Sequence, residues 1–427
     1  MEQNTTQVRL HALDGIRGLA ILAVFINHLP IEYRYIPGLP SWVSLLATHV
    51  IIGNGLIGVS LLFLLSGFFM AYLYPAPRSN LKFIQKRYTR IFPLYLTMCA
   101  VNVVLALFPH MQWYLSIGAI IVLALCTHFV WVHIVQRSNK MWLSRSLFVL
   151  FFMLQILVGF LYILMYVFHY QDFLHLPVMS EGVIGLVNAT LTFPLGTSIP
   201  LLDGVYWTLA AEVLFYVLYP IICVPIVNFL IPKKREIKIL VLLLLIPFFL
   251  FCYTLSQALL ALSLFHFSLF YYFVAGITLG YLYRKNSKVL KKVDGFFHHK
   301  RYYLPVLLFT IVIVTEHILV DNFMSYREII WMLYALPFTL LIAIALNHES
   351  FFAKILSSKS LVFIGIISYS IYLSHTPVIH IMRPLFNLRH LPGDFFYVLA
   401  TFLVTTYLSC TLYYLLEKPY FIKKDVK

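Results

Sequence analysis

The stretch GVSLLFLLSGFFMAYLY, residues 58–74, has no charged side chain. The uncharged run begins earlier and covers 51–74, which is long enough for a helix that crosses a lipid bilayer. Transmembrane β-strands are shorter and alternate apolar with polar side chains, so this continuous run favours a helix.

The rest of the chain has the same character, because 61% of its 427 residues are hydrophobic and only 11% are charged. A soluble domain carries roughly a quarter of charged residues, so that class is excluded. We predict an all-α polytopic membrane protein in which residues 1–427 form a single integral domain. About twelve transmembrane helices are expected, near 13–30, 51–74, 91–109, 114–135, 146–168, 206–231, 239–256, 264–283, 302–320, 328–347, 361–382 and 394–416.

The basic residues that give the net charge of +15 fall mostly on one predicted side of the membrane. Of 31 Lys and Arg residues, only four fall in segments that this topology places outside, namely Arg34, Arg327, Arg383 and Arg389. Cytoplasmic segments of membrane proteins are enriched in Lys and Arg, so both termini are predicted to be cytoplasmic. The basic charge is explained by topology and does not call for a nucleic-acid partner.

The first predicted span, LHALDGIRGLAILAVFINHLP at 10–30, contains Asp14, Arg17, Asn27 and His28. Eleven residues make about three helical turns, so Arg17 and His28 share a face about 16 Å apart along the axis. Asp14 lies one turn before Arg17 on nearly the same face. This pattern predicts a polar track. A lone arginine reaching the interface and a hydrogen-bonded interfacial histidine would explain it equally well.

Two further spans carry polar stripes. Glu212 falls in the middle of YWTLAAEVLFYVLYP, residues 206–220, one turn from Thr208 and one from Tyr216. A carboxylate within a membrane is costly unless it is paired, so Glu212 belongs either to a functional site or to a buried pair.

The second stripe comprises Ser368, Tyr372 and His375 in IGIISYSIYLSHTPVIH, residues 364–380. Ser66 lies in mid-span beside a glycine, where two helices can approach closely. Packing between helices is an alternative explanation for both features.

The segment KFIQKRYTRIFPLYL, residues 82–96, places Lys82, Lys86 and Arg90 at helical spacing, with Arg87 beside them. This basic surface is expected on the inner side of the membrane. It suits an anionic ligand, and generic contacts with lipid headgroups would also explain it.

These residues occur in six segments that together resemble membrane acyltransferase family 3. In order, the segments are LDGIRGLAILAVFINH, GVSLLFLLSGFF, KRYTRIFPLY, YWTLAAEVLFYVLYP, ISYSIYLSHTPV and LEKPYF. Members of that family transfer acyl groups, most often acetyl, from acyl-CoA to sugars of lipopolysaccharide, peptidoglycan, Nod factors or macrolides. The resemblance extends from residue 10 to 422.

The resemblance assigns the family's motifs to positions in this chain. Its Arg-x10-His pair is matched by Arg17 and His28, and its Arg-x-x-Arg by Arg87 and Arg90. The implied candidates are catalytic His28, Arg17 and Glu212, donor-binding Arg87, Arg90 and Lys86, and acceptor-binding or supporting Asp14, Ser66, Trp207, Tyr372 and His375.

The chain departs from the family pattern in a motif and in its overall organisation. Thr208 replaces the serine of the Trp-Ser-Leu-x-x-Glu segment, and Glu212 is its only acid. Residues 110–170 would add a two-helix insertion to a family core of about ten helices, by resemblance. The chain is also expected to lack the SGNH hydrolase domain of some relatives, so that the membrane unit itself handles the acceptor.

The resemblance implies transfer of an acyl group, acetyl by default, from cytosolic acyl-CoA to a hydroxyl of a cell-envelope carbohydrate, which can be lipid-linked. His28 would act as a base or as an acyl carrier. Acyl-CoA would be a co-substrate, with no permanently bound cofactor and no metal, and the protein would contact lipids of the cytoplasmic (inner) membrane. A proton-coupled secondary transporter is the alternative that the buried charges also permit.

Overall fold

The computed structural model describes residues 10–30, 55–77, 79–107, 113–129, 203–225, 268–285, 295, 303–315, 331, 334–347, 350–386 and 391–418. Within these ranges every regular element is a helix, which confirms the all-α prediction for this part of the chain. The predicted spans 146–168 and 239–256 lie outside the described residues, as does most of the predicted insertion at 110–170.

In chain order the helices are α1 (His11–His28), α2 (Gly55–Leu73), α3 (Asn80–Leu107), α4 (Trp113–Phe129), α5 (Tyr206–Leu218), α6 (Ser268–Arg284), α7 (Leu304–Thr315), α8 (Ala335–Ala345), α9 (Phe351–Leu356), α10 (Lys359–Ile366), α11 (Ser368–Met382) and α12 (Leu391–Leu412). A 3₁₀ turn, Arg383–Leu385, follows α11. π-helical turns continue α5 over Tyr219–Cys223 and α12 over Tyr413–Glu417.

Three helical segments of the described ranges are long and apolar enough to cross a bilayer, namely Gly55–Leu73, Tyr206–Cys223 and Phe395–Glu417. A fourth is added if Lys359–Ile366 and Ser368–Leu385 are counted as one broken span. These helices are those of a multi-pass membrane protein. The total of about twelve spans and the cytoplasmic position of the termini stay predictions.

Helix α3 begins well before the apolar span predicted for this region. The span was expected from residue 91, whereas α3 starts at Asn80 and includes the basic residues between them. Hydropathy marks where charge begins, but the helical hydrogen bonds of the backbone continue past that point. Long basic side chains can extend to water or headgroups while their helix continues into the interface.

The first of two compact units combines Met1–Pro75 with Ser268–Tyr369. Its helix α1 packs on α2, α9 and α10, and α2 packs on α6. Glycines allow these backbones to come very close, because a Cβ atom on Gly365 would lie 1.8 Å from the carbonyl oxygen of Asp14. Small residues at helix contacts have this function in membrane proteins generally.

The second unit combines Ala76–Phe267 with Ser370–Lys427. Its helix α3 packs on α4, where Thr97 donates to the Thr127 hydroxyl at 2.9 Å. The α3 residue Asn102 donates to the hydroxyl of Tyr206, on α5, at 2.7 Å. Hydrogen bonds between side chains therefore connect α3 to both of its neighbours.

A proline accounts for the interrupted hydrogen-bond pattern at the end of α5. Pro220 has no N–H, so the carbonyl of Tyr216, four residues earlier, cannot receive the usual helical bond. The chain forms the π-turn Tyr219–Cys223 at this position. Such turns are rare and are found frequently at functional sites.

Candidate functional site

Arg17 in the first unit is paired and stacked. Its Nη1 lies 3.4 Å from Oδ1 of Asp14, three residues earlier, and its guanidinium carbon lies 4.5 Å from the centroid of the Phe69 ring. Asp14 is buried and Arg17 is half-buried. A carboxylate and an aromatic face both stabilise a guanidinium that has lost part of its water shell. The arginine is thereby held at a defined place on α1.

His28 ends α1 and is exposed. Its Nδ1 lies 2.8 Å from the carbonyl oxygen of Val24. A carbonyl oxygen only accepts hydrogen bonds, so Nδ1 donates and carries the proton. In the neutral ring the lone pair is then on Nε2, the nitrogen that a general base or a nucleophile would use. The helix backbone itself selects this tautomer.

Arg87 in the second unit lies against two aromatic rings. It is buried, with its guanidinium carbon 5.4 Å from the centroid of the Tyr216 ring and 5.5 Å from that of Phe83. The hydroxyl of Tyr216 donates to the carboxylate of Glu212. One tyrosine therefore contacts an arginine with its ring and a carboxylate with its hydroxyl group.

The other two predicted donor-binding residues differ from Arg87 in their surroundings. Arg90 is half-buried and lies within electrostatic range of Tyr216 and of Glu417. Lys86 is exposed, although it neighbours Arg87 in the sequence, because consecutive residues of a helix point about 100° apart. Arg87 is thus enclosed in the protein and Arg90 is partly covered, while Lys86 faces outward.

Tyr372 connects α11 to the start of α5. Its hydroxyl lies 2.5 Å from that of Thr208 and donates to the carbonyl oxygen of Val205 at 3.0 Å. Thr208 stands in the position where the family has serine, and its hydroxyl group serves as a hydrogen-bond partner here.

His375 is fully buried one turn after Tyr372. Its Nδ1 lies 2.7 Å from the carbonyl oxygen of Tyr372 and 3.1 Å from that of Ile371. As in His28, a carbonyl partner requires Nδ1 to carry the proton. Both predicted histidines are therefore oriented by their own helices.

The remaining candidates are side chains of α2 and α5. Ser66 is half-buried on α2, next to Gly67, whose Cβ position would be 2.2 Å from the carbonyl oxygen of Phe273 on α6. Trp207 is half-buried in the first turn of α5. Arg17, His28, Asp14 and Ser66 belong to the first unit, and the other seven candidates belong to the second.

Asp203 was missed by sequence reasoning as a site residue. It is buried just before α5, where Oδ1 accepts from the backbone N–H of Val205 at 3.2 Å and Oδ2 accepts from the hydroxyl of Thr376. An aspartate that accepts from the backbone N–H two residues later forms an Asx-turn, and aspartate before a helix is a recognisable local signal for such a turn. Its partner Thr376 lies 173 positions away, and the sequence offered no signal for that contact.

Glu417 was also missed. It is 1% exposed at the end of the π-turn after α12 and accepts a hydrogen bond from the hydroxyl of Ser370. The sequence signal was available, because a carboxylate directly follows an apolar span and precedes Lys418 and Pro419. In the sequence, however, this pattern is also that of an ordinary helix end, where a charged side chain reaches water.

Among the described residues, no group of three or more His, Cys, Asp or Glu side chains is arranged to hold a metal ion. The groups that are present can accept a proton at an imidazole, bind anions with guanidinium groups, and donate hydrogen bonds from hydroxyl groups. These are the requirements of transfer between an anionic donor and a hydroxyl acceptor.

Comparison with known proteins matches the chain to one enzyme family. A family model described as an acyltransferase domain, of the acyltransferase 3 type, matches residues 10–414. The match confirms the resemblance drawn from the six sequence segments. No curated protein and no solved structure matched the chain.

Proposed function

The chain belongs to acyltransferase family 3, and from that premise we propose that it transfers an acyl group, in the first instance acetyl, from cytosolic acyl-CoA to a carbohydrate hydroxyl. The proposed acceptor is a sugar of the cell envelope, in O-antigen or lipopolysaccharide, capsule or peptidoglycan. The proposed location is the cytoplasmic membrane, where cytosolic acyl-CoA is available to one side of the protein.

The tautomer of His28 is the observation that carries this proposal. With Nδ1 bound to the Val24 carbonyl, Nε2 has the lone pair needed to take the proton of the sugar hydroxyl. The hydroxyl oxygen attacks the thioester carbonyl carbon, and the carbon–sulfur bond then breaks. The CoA thiolate leaves and receives the proton from the imidazolium, which restores the neutral histidine and yields ester and free CoA.

The arginines are proposed to position the donor. Acyl-CoA carries several phosphate groups, and guanidinium groups bind phosphate with paired hydrogen bonds. Arg87 and Arg90 are proposed as phosphate contacts, with the exposed Lys86 adding charge near them. Arg17, held by Asp14 and Phe69, is proposed to hold the donor for the reaction.

The acceptor is proposed to contact polar side chains of α5 and α11. Tyr372, His375, Trp207 and Glu212 offer the hydroxyl, imidazole, indole and carboxylate groups that commonly bind sugars. Ser66 is proposed as a supporting residue on α2. These roles are less specific than that of His28, because the hydrogen bonds of Tyr372 and Glu212 also serve the fold.

The experiment measures release of CoA from labelled acetyl-CoA by purified protein in detergent, with and without an envelope glycan extract. His28→Ala and Arg17→Ala are compared with His11→Ala, which removes an exposed histidine from the first turn of the same helix. We expect acceptor-dependent turnover in wild type and in His11→Ala, and a loss of at least about 100-fold in His28→Ala. Full turnover in His28→Ala would exclude His28 as base and as acyl carrier.

The same preparation separates direct transfer from an acyl-histidine intermediate. Labelled donor is added without acceptor, and the protein is quenched and analysed for bound label. Direct transfer predicts no label on His28. Label that is present in His11→Ala and missing in His28→Ala would replace the base mechanism with a covalent one. A protein that neither uses nor binds acetyl-CoA, and instead moves a solute in response to a proton gradient, would be a transporter.

A further inference from the structure

The carbonyl oxygen of Leu415 is held by a side chain from another helix. Four residues after Leu415 stands Pro419, which has no N–H to complete an α-helical bond. Nδ1 of His128, at the end of α4, lies 2.7 Å from this carbonyl oxygen and must be the donor. The histidine therefore supplies the hydrogen bond that the proline removes.

Leu415 lies inside the π-turn Tyr413–Glu417, and the position of that turn decides where Glu417 points. Glu417 is buried and accepts from Ser370 on α11. A buried carboxylate needs compensation for its lost water shell. The π-turn that carries Glu417 packs on α3, the helix of Arg90, and Arg90 lies within electrostatic range of the carboxylate. The π-turn thus presents a carboxylate to one of the two arginines of α3.

The second unit consequently encloses two arginines with two carboxylates. Arg87 lies over the ring of Tyr216, which donates to Glu212, and Arg90 is near Glu417. An arginine with five donors can engage a carboxylate on one edge and a phosphate on another. Its orientation toward the phosphate then depends on where the carboxylate holds it.

We propose that His128 and Glu417 are positioning residues for the acyl donor. His128 fixes the π-turn through the Leu415 carbonyl, and Glu417 on that turn orients Arg90 for the phosphate groups of acyl-CoA. Helix α4, which lies in the region predicted as an insertion, thereby acts on the donor site. This inference rests on the proposed function and assigns roles to two residues that the sequence analysis did not name as site candidates.

The test compares two acyl donors in steady-state kinetics. Acetyl-CoA carries the phosphate groups, whereas S-acetyl-pantetheine has the same thioester and lacks them. We expect His128→Ala and Glu417→Gln to raise KM for acetyl-CoA about tenfold. For S-acetyl-pantetheine we expect KM and kcat to equal those of wild type, because Arg90 has no phosphate to bind.

Two further variants guard against a purely structural effect. His128→Gln keeps an N–H donor and is expected to recover part of the loss, and Cys126→Ala changes an exposed residue of the same helix without effect. Equal losses with both donors would overturn the proposal, and so would a lower KM for acetyl-CoA, which would mean that Glu417 competes with phosphate for Arg90. A wild type that neither uses nor binds acetyl-CoA would overturn the proposed function and this inference with it.

Discussion

Tyr216 serves two charged partners at once, since its hydroxyl donates to Glu212 while Arg87 lies against its ring. Tyr216→Phe removes the hydrogen bond and keeps the ring. Glu212 is half-buried, so it regains only part of its water shell when the donor is lost. We expect the free energy of unfolding to fall by about 1–3 kcal/mol, measured as a lower thermal midpoint in detergent.

Tyr407→Phe is the matched control for this residue, because it removes a hydroxyl from a tyrosine that is 75% exposed. Its effect should stay within about 0.5 kcal/mol. If both variants unfold at the temperature of wild type, the contact between Tyr216 and Glu212 contributes nothing to stability.

At the scale of helices, the contact between α1 and α10 determines where Asp14 and Arg17 stand. A Cβ atom on Gly365 would lie 1.8 Å from the Asp14 carbonyl oxygen, so Gly365→Ala forces the two backbones apart. Overpacking of this kind costs about 1–3 kcal/mol. We expect a lower thermal midpoint in detergent together with reduced acyl transfer, because the shift moves the segment that carries Arg17.

Gly118→Ala makes the same chemical change in α4, where a Cβ atom would meet nothing within 4 Å. Alanine is favoured over glycine in a helix by about 1 kcal/mol, so this control should be neutral or slightly stabilising. A Gly365→Ala protein as stable as the Gly118→Ala protein would contradict the close contact between α1 and α10.

Sequence predicted the helices better than it predicted their partners. The long apolar runs predicted α1 within two residues at each end. The three-residue spacing of Asp14 and Arg17 placed both on nearly one helix face, where the structure pairs them. The bond between Ser370 and Glu417 joins residues 47 positions apart and has no periodic signature. Local spacing is imposed by helix geometry, whereas long-range pairs depend on how helices pack.

The sequence also did not predict the break between α10 and α11. One apolar run was predicted over 361–382, whereas the chain forms α10 up to Ile366 and restarts at Ser368. Hydropathy is continuous across this point, so the predicted span had no reason to stop. The hydropathy of side chains predicts where the apolar surface lies, but it does not predict where the backbone bends.

At the scale of the whole molecule, each compact unit is assembled from segments that are distant in sequence. The first unit takes its helices from the two stretches on either side of Ala76–Phe267. The second unit takes its helices from Ala76–Phe267 and from the C-terminal region. The proposed base His28 and the proposed phosphate-binding pair belong to different units.

The distribution of basic charge predicts how the chain is oriented in the membrane. Three predicted spans separate Lys291, in the segment richest in Lys and Arg, from Arg389, in a segment predicted to lie outside. An odd number of crossings puts the two positions on opposite sides of the membrane. In a variant without the five native cysteines, Arg389→Cys should react with an impermeant maleimide on intact cells, and Lys291→Cys only after permeabilisation. Labelling of both positions from outside would mean that the predicted number of spans between them is wrong by one. The reverse pattern would mean that the protein has the opposite orientation, in which cytosolic acyl-CoA could not reach the basic surface of α3.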